Sequence, residues 1–221
     1  MRIKLDINIK IGRIVKYLIL VNLLFFAGWG LIEPIFAVFI VDNVAGATVV
    51  TVGIFAAIYW ILKSVLQLPI ARYLDKTPGE KDDFYALIFG LFLASISAFM
   101  FVLVHETWQL YAVQVLHSLA IALYIASWPA LFSRHLDQDK VSFDWALDSS
   151  AIGLSAGFGG FFGGVIAQAF GFETVFLLVA FFSAASAMFL LLVPDLVFPK
   201  IKKEAEVPPT VKIRPPSAMG H

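Results

Sequence analysis

The sorting of basic residues along this chain limits its fold more than any other feature. Fifteen of its 16 Lys and Arg lie in four places: the first 16 residues, positions 72–81, positions 134–140, and the stretch from Lys200 onward. Between them run six apolar segments, at 17–41, 49–71, 84–104, 108–132, 143–170 and 172–197. A bilayer core of about 30 Å needs about 20 apolar residues per helix, and each segment meets that length within a few residues. Basic residues border every second connection and are missing from the first, third and fifth. The positive-inside bias then puts the N-terminus, the even loops and the C-terminus in the cytoplasm. The expected fold is an all-α membrane protein of six spans in a plasma or bacterial inner membrane. The sixteenth basic residue, Lys63, lies inside the second span.

Composition agrees. Sixty per cent of the residues are hydrophobic and 14% are charged, too few for the charged shell of a soluble domain this size. Net charge is zero, which gives no reason to expect a nucleic-acid partner, and the bilayer itself becomes the first partner. There is no Cys, so thiolate catalysis, disulfides and Cys-ligated metals are excluded. The basic N-terminus precedes an apolar stretch too long for a signal peptide and without a cleavage site, so it reads as a retained span. Residues 1–16 are expected to form a basic tail, with an alternation of polar and apolar residues over 2–11 that suits a strand or an interfacial segment. Residues 198–221, rich in Lys, Glu and Pro, are expected to be a disordered tail.

Three stretches carry more. The second loop reads Ala71-Arg72-Tyr73-Leu74-Asp75-Lys76-Thr77-Pro78-Gly79-Glu80-Lys81. An Asp at a helix end, basic residues and a Gly make a tight charged turn. The fifth segment holds Gly153, Ser155, Gly157, Gly159, Gly160, Gly163 and Gly164. Small residues four apart form a flat stripe on which another helix backbone can lie. The first and fourth segments both carry a Pro near an aromatic, in Glu33-Pro34-Ile35-Phe36 and Trp128-Pro129-Ala130-Leu131-Phe132.

On these residues the chain resembles the major facilitator superfamily of transporters, over about residues 15–198. Asp75, Lys76, Gly79 and Lys81 are similar to the family's signature loop between its second and third helices. Ala71 replaces the usual first Gly, and one extra residue precedes Gly79. The glycine stripe is similar to an antiporter motif of the fifth helix, with Ser155 for its first Gly and Gly160 for its Pro, which weakens any inference of antiport. The resemblance implies one half of the family fold, two inverted three-helix repeats, with solute bound near the midplane against a second half. A six-helix chain would then need that second wall from another chain, in a homodimer or a heterodimer.

Polar residues at bilayer depth are costly and mark candidate sites. Glu33 and His117 lie about 12 Å and about 14 Å inside the outer boundary, counted at 1.5 Å per residue. Both sit on helices that, by the resemblance, border the cavity. A carboxylate beside an imidazole suits proton coupling, and Gln114, like Gln67 and Gln168, offers hydrogen bonds to a solute. Lys63 and Asp148 lie about 12 Å and about 8 Å from the cytoplasmic boundary and, by the resemblance, are expected to pair across the interface between halves. Asp75 is expected to cap a partner helix there. No cofactor, metal site or catalytic residue is expected: His-Glu-x-x-His and Gly-x-Ser-x-Gly are absent, and the four His are scattered. The expected function is transport of a small neutral or hydrophobic solute. The rival from another class is a non-transporting membrane scaffold or regulatory subunit that docks through the glycine stripe.

Overall fold

A computed structural model describes residues 12–192. Among the described residues seven helices make six spans: α1 (Arg13–Ile32) and α2 (Phe36–Asn43), joined by a 3-10 turn at Glu33–Ile35, then α3 (Val49–Leu74), α4 (Lys81–Phe101), α5 (Thr107–Arg134), α6 (Val141–Phe170) and α7 (Phe172–Leu190). The described residues contain no strand. The fold class expected from sequence is therefore the fold found.

The first span differs from the continuous helix expected over 17–41. It starts at Arg13, so residues 13–16 are helical rather than part of a tail, and it breaks at Pro34. A proline inside a helix donates no hydrogen bond, and its ring crowds the carbonyl four residues back, here that of Gly30. Pro69 and Pro129 leave α3 and α5 continuous. The sixth span ends at Leu190, before the expected 197. The expectations for residues 2–11 and 198–221 lie outside the described residues.

Local chemistry sets the remaining ends. The backbone N–H of Thr48 donates to Thr51 Oγ1 at 3.0 Å at the start of α3. Gln109 Oε1 accepts from the N–H groups of His105 and Glu106 at 2.8 and 3.1 Å at the start of α5. Gly171, at φ +84°, is the single residue between α6 and α7 and takes the left-handed conformation open to glycine. On the end poor in basic residues, Ala45 N–H donates to His105 O at 2.8 Å, which joins the first loop to the third.

The packing order is symmetric. Span 1 packs on spans 5 and 6, span 4 packs on spans 2 and 3, and span 3 packs on span 6. Exchanging spans 1–3 with 4–6 leaves that pattern unchanged, and because successive spans alternate in direction the two triplets are inverted. One buried cluster gathers Phe25, Phe84, Leu91, Trp128 and Phe132; another gathers Ile32, Phe39, Phe101, Leu110 and Phe176. Spans 2 and 5 stand at the periphery with broad apolar faces, such as Val65 and Leu68 on α3 and Phe158 and Phe161 on α6.

The α1–α6 contact uses part of the glycine stripe. A Cβ on Gly159 would lie 2.9 Å from the Gly30 carbonyl carbon, one on Gly160 3.0 Å from Pro34 Cγ, and one on Gly30 2.9 Å from Ala156 Cα. Gly163 is tighter still, against the Leu31 backbone. Gly153, Gly157 and Gly164 have nothing within 4 Å of an added Cβ. The stripe expected to act as one surface thus has two faces, one closed inside the chain and one open.

Candidate functional site

Helical spacing assembles a cavity between α1, α3 and α5. Phe25, Trp29 and Glu33 are four residues apart, as are Ala56 and Trp60, with Tyr59 beside them; Gln114, His117, Ile121 and Tyr124 follow at three and four. Residues so spaced share a helix face. Together with Phe26, Phe36, Phe55 and Ile125 they line an open-sided cavity of about 370 Å³. Glu33, Gln114 and His117, singled out in the sequence, are therefore in one cavity. Its aromatic wall is built mostly of residues that a count of polar groups passes over.

His117 is held on three sides. Its ring centroid lies 4.1 Å from that of Trp29 and 5.7 Å from that of Tyr59, with the Tyr59 plane only 16° off parallel. Its Nδ1 is 3.2 Å from Ser97 Oγ. Ser97 donates its own hydrogen to the Ala94 carbonyl at 2.8 Å, so Nδ1 must be the donor to Ser97. That leaves Nε2 of the neutral ring as an acceptor. Glu33 reaches the cavity from the 3-10 turn and makes no direct hydrogen bond to His117 among the described residues. Two further polar atoms of these residues, Trp29 Nε1 and Gln114 Oε1, are buried without a hydrogen-bond partner among the described residues. One offers a hydrogen and the other accepts one.

Lys63 lies at the edge of this wall. Its ammonium is 3.8 Å above the Trp60 ring and 5.0 Å from the Tyr59 ring centre, a cation–π arrangement. Asp148, expected to face Lys63 across an interface, is instead buried in its own chain, where its Oδ1 accepts from Asn22 Nδ2 at 2.9 Å. The Asn22 Oδ1 accepts from the Tyr124 hydroxyl at 2.6 Å. Asp148 was placed by its depth and by the helix order of the resembled fold, and neither says which way α6 is rotated.

At the basic end the charged loop closes α3 onto α4. Asp75 ends α3 with its N–H bonded to Ala71 O at 2.9 Å, Lys76 follows, and Gly79 turns the chain at φ +119° before Lys81 opens α4. The loop is fastened to the end of α5. Arg134 donates to Gly79 O at 3.2 Å and pairs with Asp83, and His135 Nε2 is 2.9 Å from Glu80 Oε2. Sequence reasoning missed Arg134 and His135, which stand 55 residues from Gly79 and Glu80.

Comparison with known proteins fits this geometry. The family model described as Major Facilitator Superfamily matches residues 18–219. An uncharacterized MFS-type transporter of Methanocaldococcus jannaschii is 24% identical over 181 residues, which cover 81% of this chain and 45% of the relative. The chain thus spans a little under half the length of the curated relative it matches. With six spans in two inverted triplets and a match over most of its length, this chain belongs to the major facilitator superfamily.

Proposed function

We propose that the chain moves a small solute across a membrane, with its aromatic cavity as one wall of the path and a second six-helix unit as the other. The carrying observation is the meeting of Glu33, Gln114 and His117 in one aromatic cavity. Gln114, His117 and Glu33 give that cavity hydrogen-bonding groups for a solute with a hydroxyl, carbonyl or amide. Neither Lys nor Arg is among the residues that line the cavity, which favours a neutral or hydrophobic solute over a multiply anionic one. Glu33 and His117 are the groups through which a proton gradient would be coupled, with Nε2 of His117 free to accept a proton.

The second unit is a second copy or a separate six-helix partner, seated on α3 and α6. Their exposed apolar faces support this, with Trp60 61% and Phe161 68% exposed. The basic residues support a plasma or inner membrane with the N-terminus and C-terminus on the cytoplasmic side. The test is uptake into proteoliposomes under an imposed pH gradient, with a panel of small neutral and hydrophobic solutes. Gradient-driven uptake lost in Glu33→Gln supports the coupled reading; uptake unchanged in that variant defeats the role of Glu33.

The open side of the glycine stripe favours a second reading. Gly153, Gly157 and Gly164 present bare backbone outward, as a docking scaffold would. Absence of stabilisation by every solute, with a stable complex to an unrelated membrane protein, would favour it.

A further inference from the structure

Behind the cavity wall lies a polar assembly that solute binding does not require. Asp148 is 3% exposed, Asn22 is fully buried and Tyr124 is 5% exposed. They come from α6, α1 and α5 and form one chain, from the Asp148 carboxyl through the Asn22 amide to the Tyr124 hydroxyl, at 2.9 and 2.6 Å. Tyr124 also lines the cavity. One turn before Asp148 on the same face of α6 is a second buried acid, Asp144, fully enclosed. One of its oxygens accepts from Asp137 N–H at 3.1 Å, and the other has no partner among the described residues.

The charges around Asp148 do not offset it. On α1 the polar side chains past the first turn are Tyr17, Asn22 and Trp29, of which Asn22 bonds Asp148, and Arg13 and Lys16 in the first turn are exposed. The basic residue of α5, Arg134, is held by Asp83 and Gly79. The sole ionisable residue of α7 is Glu173, at its far end, and Ser183 and Ser186 are neutral. Among the described residues no basic side chain pairs with Asp148. Apolar surroundings accept a carboxylic acid far more readily than a bare carboxylate, and ionisable residues so placed in membrane proteins mark proton paths.

We propose that Asp148 is a proton-carrying group of the transport cycle, loaded from the basic end past Asp144 and read at the cavity through Asn22 and Tyr124. The proposal rests on the transport reading of the cavity. As a carboxylate, Asp148 holds the Asn22 amide with its N–H inward, which turns Asn22 Oδ1 toward Tyr124 and draws the hydroxyl hydrogen away from the cavity. With a proton added, Asp148 donates to the Asn22 oxygen. The amide then presents its N–H₂ to the Tyr124 oxygen, and the hydroxyl hydrogen is released toward the cavity. One proton gained at Asp148 thus becomes one hydrogen-bond donor gained by the solute site.

Infrared difference spectroscopy between acid and alkaline pH tests this on the full chain in phosphatidylcholine vesicles, with no solute. A protonated carboxylic-acid carbonyl band is expected in the wild type, lost in Asp148→Asn and displaced in Tyr124→Phe. A spectrum of Asp148→Asn that superimposes on the wild type overturns the proposal. If that variant does not fold, Tyr124→Phe decides alone: a displaced band supports the link, and an unmoved one ends it. A band assigned to Asp148 in a protein that takes up no solute would sink the transport reading and leave the proton site standing. Proton-driven uptake without the band would do the reverse.

Discussion

The backbone of α6 at Gly163 rests directly on the carbonyl of Leu31 in α1, leaving no room for a side chain. Because the neighbour is backbone, it cannot turn aside as a flexible side chain could. Gly163→Ala should therefore push the two helices apart and cost about 1–3 kcal/mol, the range for overpacking a close contact. Gly164→Ala, one residue on and in open space, should leave stability within about 0.5 kcal/mol. Thermal unfolding in detergent compares the two. Equal losses would show that the stripe acts through helix flexibility instead of close approach.

Removing the partner of a buried imidazole is a different kind of damage. Ser97→Ala leaves His117 Nδ1 without its acceptor inside a ring of aromatic side chains. The expected loss is about 1–3 kcal/mol, the usual penalty for an unsatisfied buried group. Ser97→Thr, which keeps the hydroxyl, should recover part of it. A melting temperature unchanged in Ser97→Ala would mean that the ring finds another partner.

At the basic end, Arg134→Met strips Asp83, 3% exposed, of its cation and frees the Gly79 carbonyl. Because Arg134 is itself 37% exposed, screening limits the loss to about 1–3 kcal/mol. Adding Asp83→Asn should restore part of it by removing the stranded charge. Proteolysis of the 75–81 loop should quicken in the single variant and slow again in the double. If the double variant falls below the wild type by the sum of the two single losses, the two residues are not coupled.

Lys63→Met removes the ammonium from above Trp60. Trp60 is exposed and Lys63 half-buried, so stability should change by no more than about 1 kcal/mol. The emission of Trp60 should nevertheless shift, and Trp60→Phe identifies its share of the spectrum. No change in emission would place the lysine away from the ring in the membrane.

Much of this fold was legible because a bilayer allows few solutions. Length, apolar runs and the sorting of basic residues name the spans, and a Pro beside Glu33 hints at the broken turn. The cavity was legible in part. Glu33, Gln114 and His117 stood out as polar residues at depth, while Tyr59 and Phe55 looked like any other aromatic of an apolar helix. Asp148 was misplaced because rotation about a helix axis is fixed by neighbours distant in sequence. For α6 those neighbours are Gly30 and Leu31, and they turn Gly159 and Gly163 inward and carry Asp148 with them. Arg134 and His135 were hidden for a similar reason, since nothing in the local sequence ties the end of one span to a loop two spans earlier.

The exchange-symmetric packing also bears on how the chain is made. The principal neighbours of each span lie in the opposite triplet: span 1 waits for spans 5 and 6, span 2 for span 4, and span 3 for spans 4 and 6. A ribosome delivering the chain from its N-terminus therefore releases three spans into lipid before any has a main partner. Assembly is held back until the second triplet arrives, and for all that time the Gly30 notch in span 1 stays open to whatever else the membrane contains.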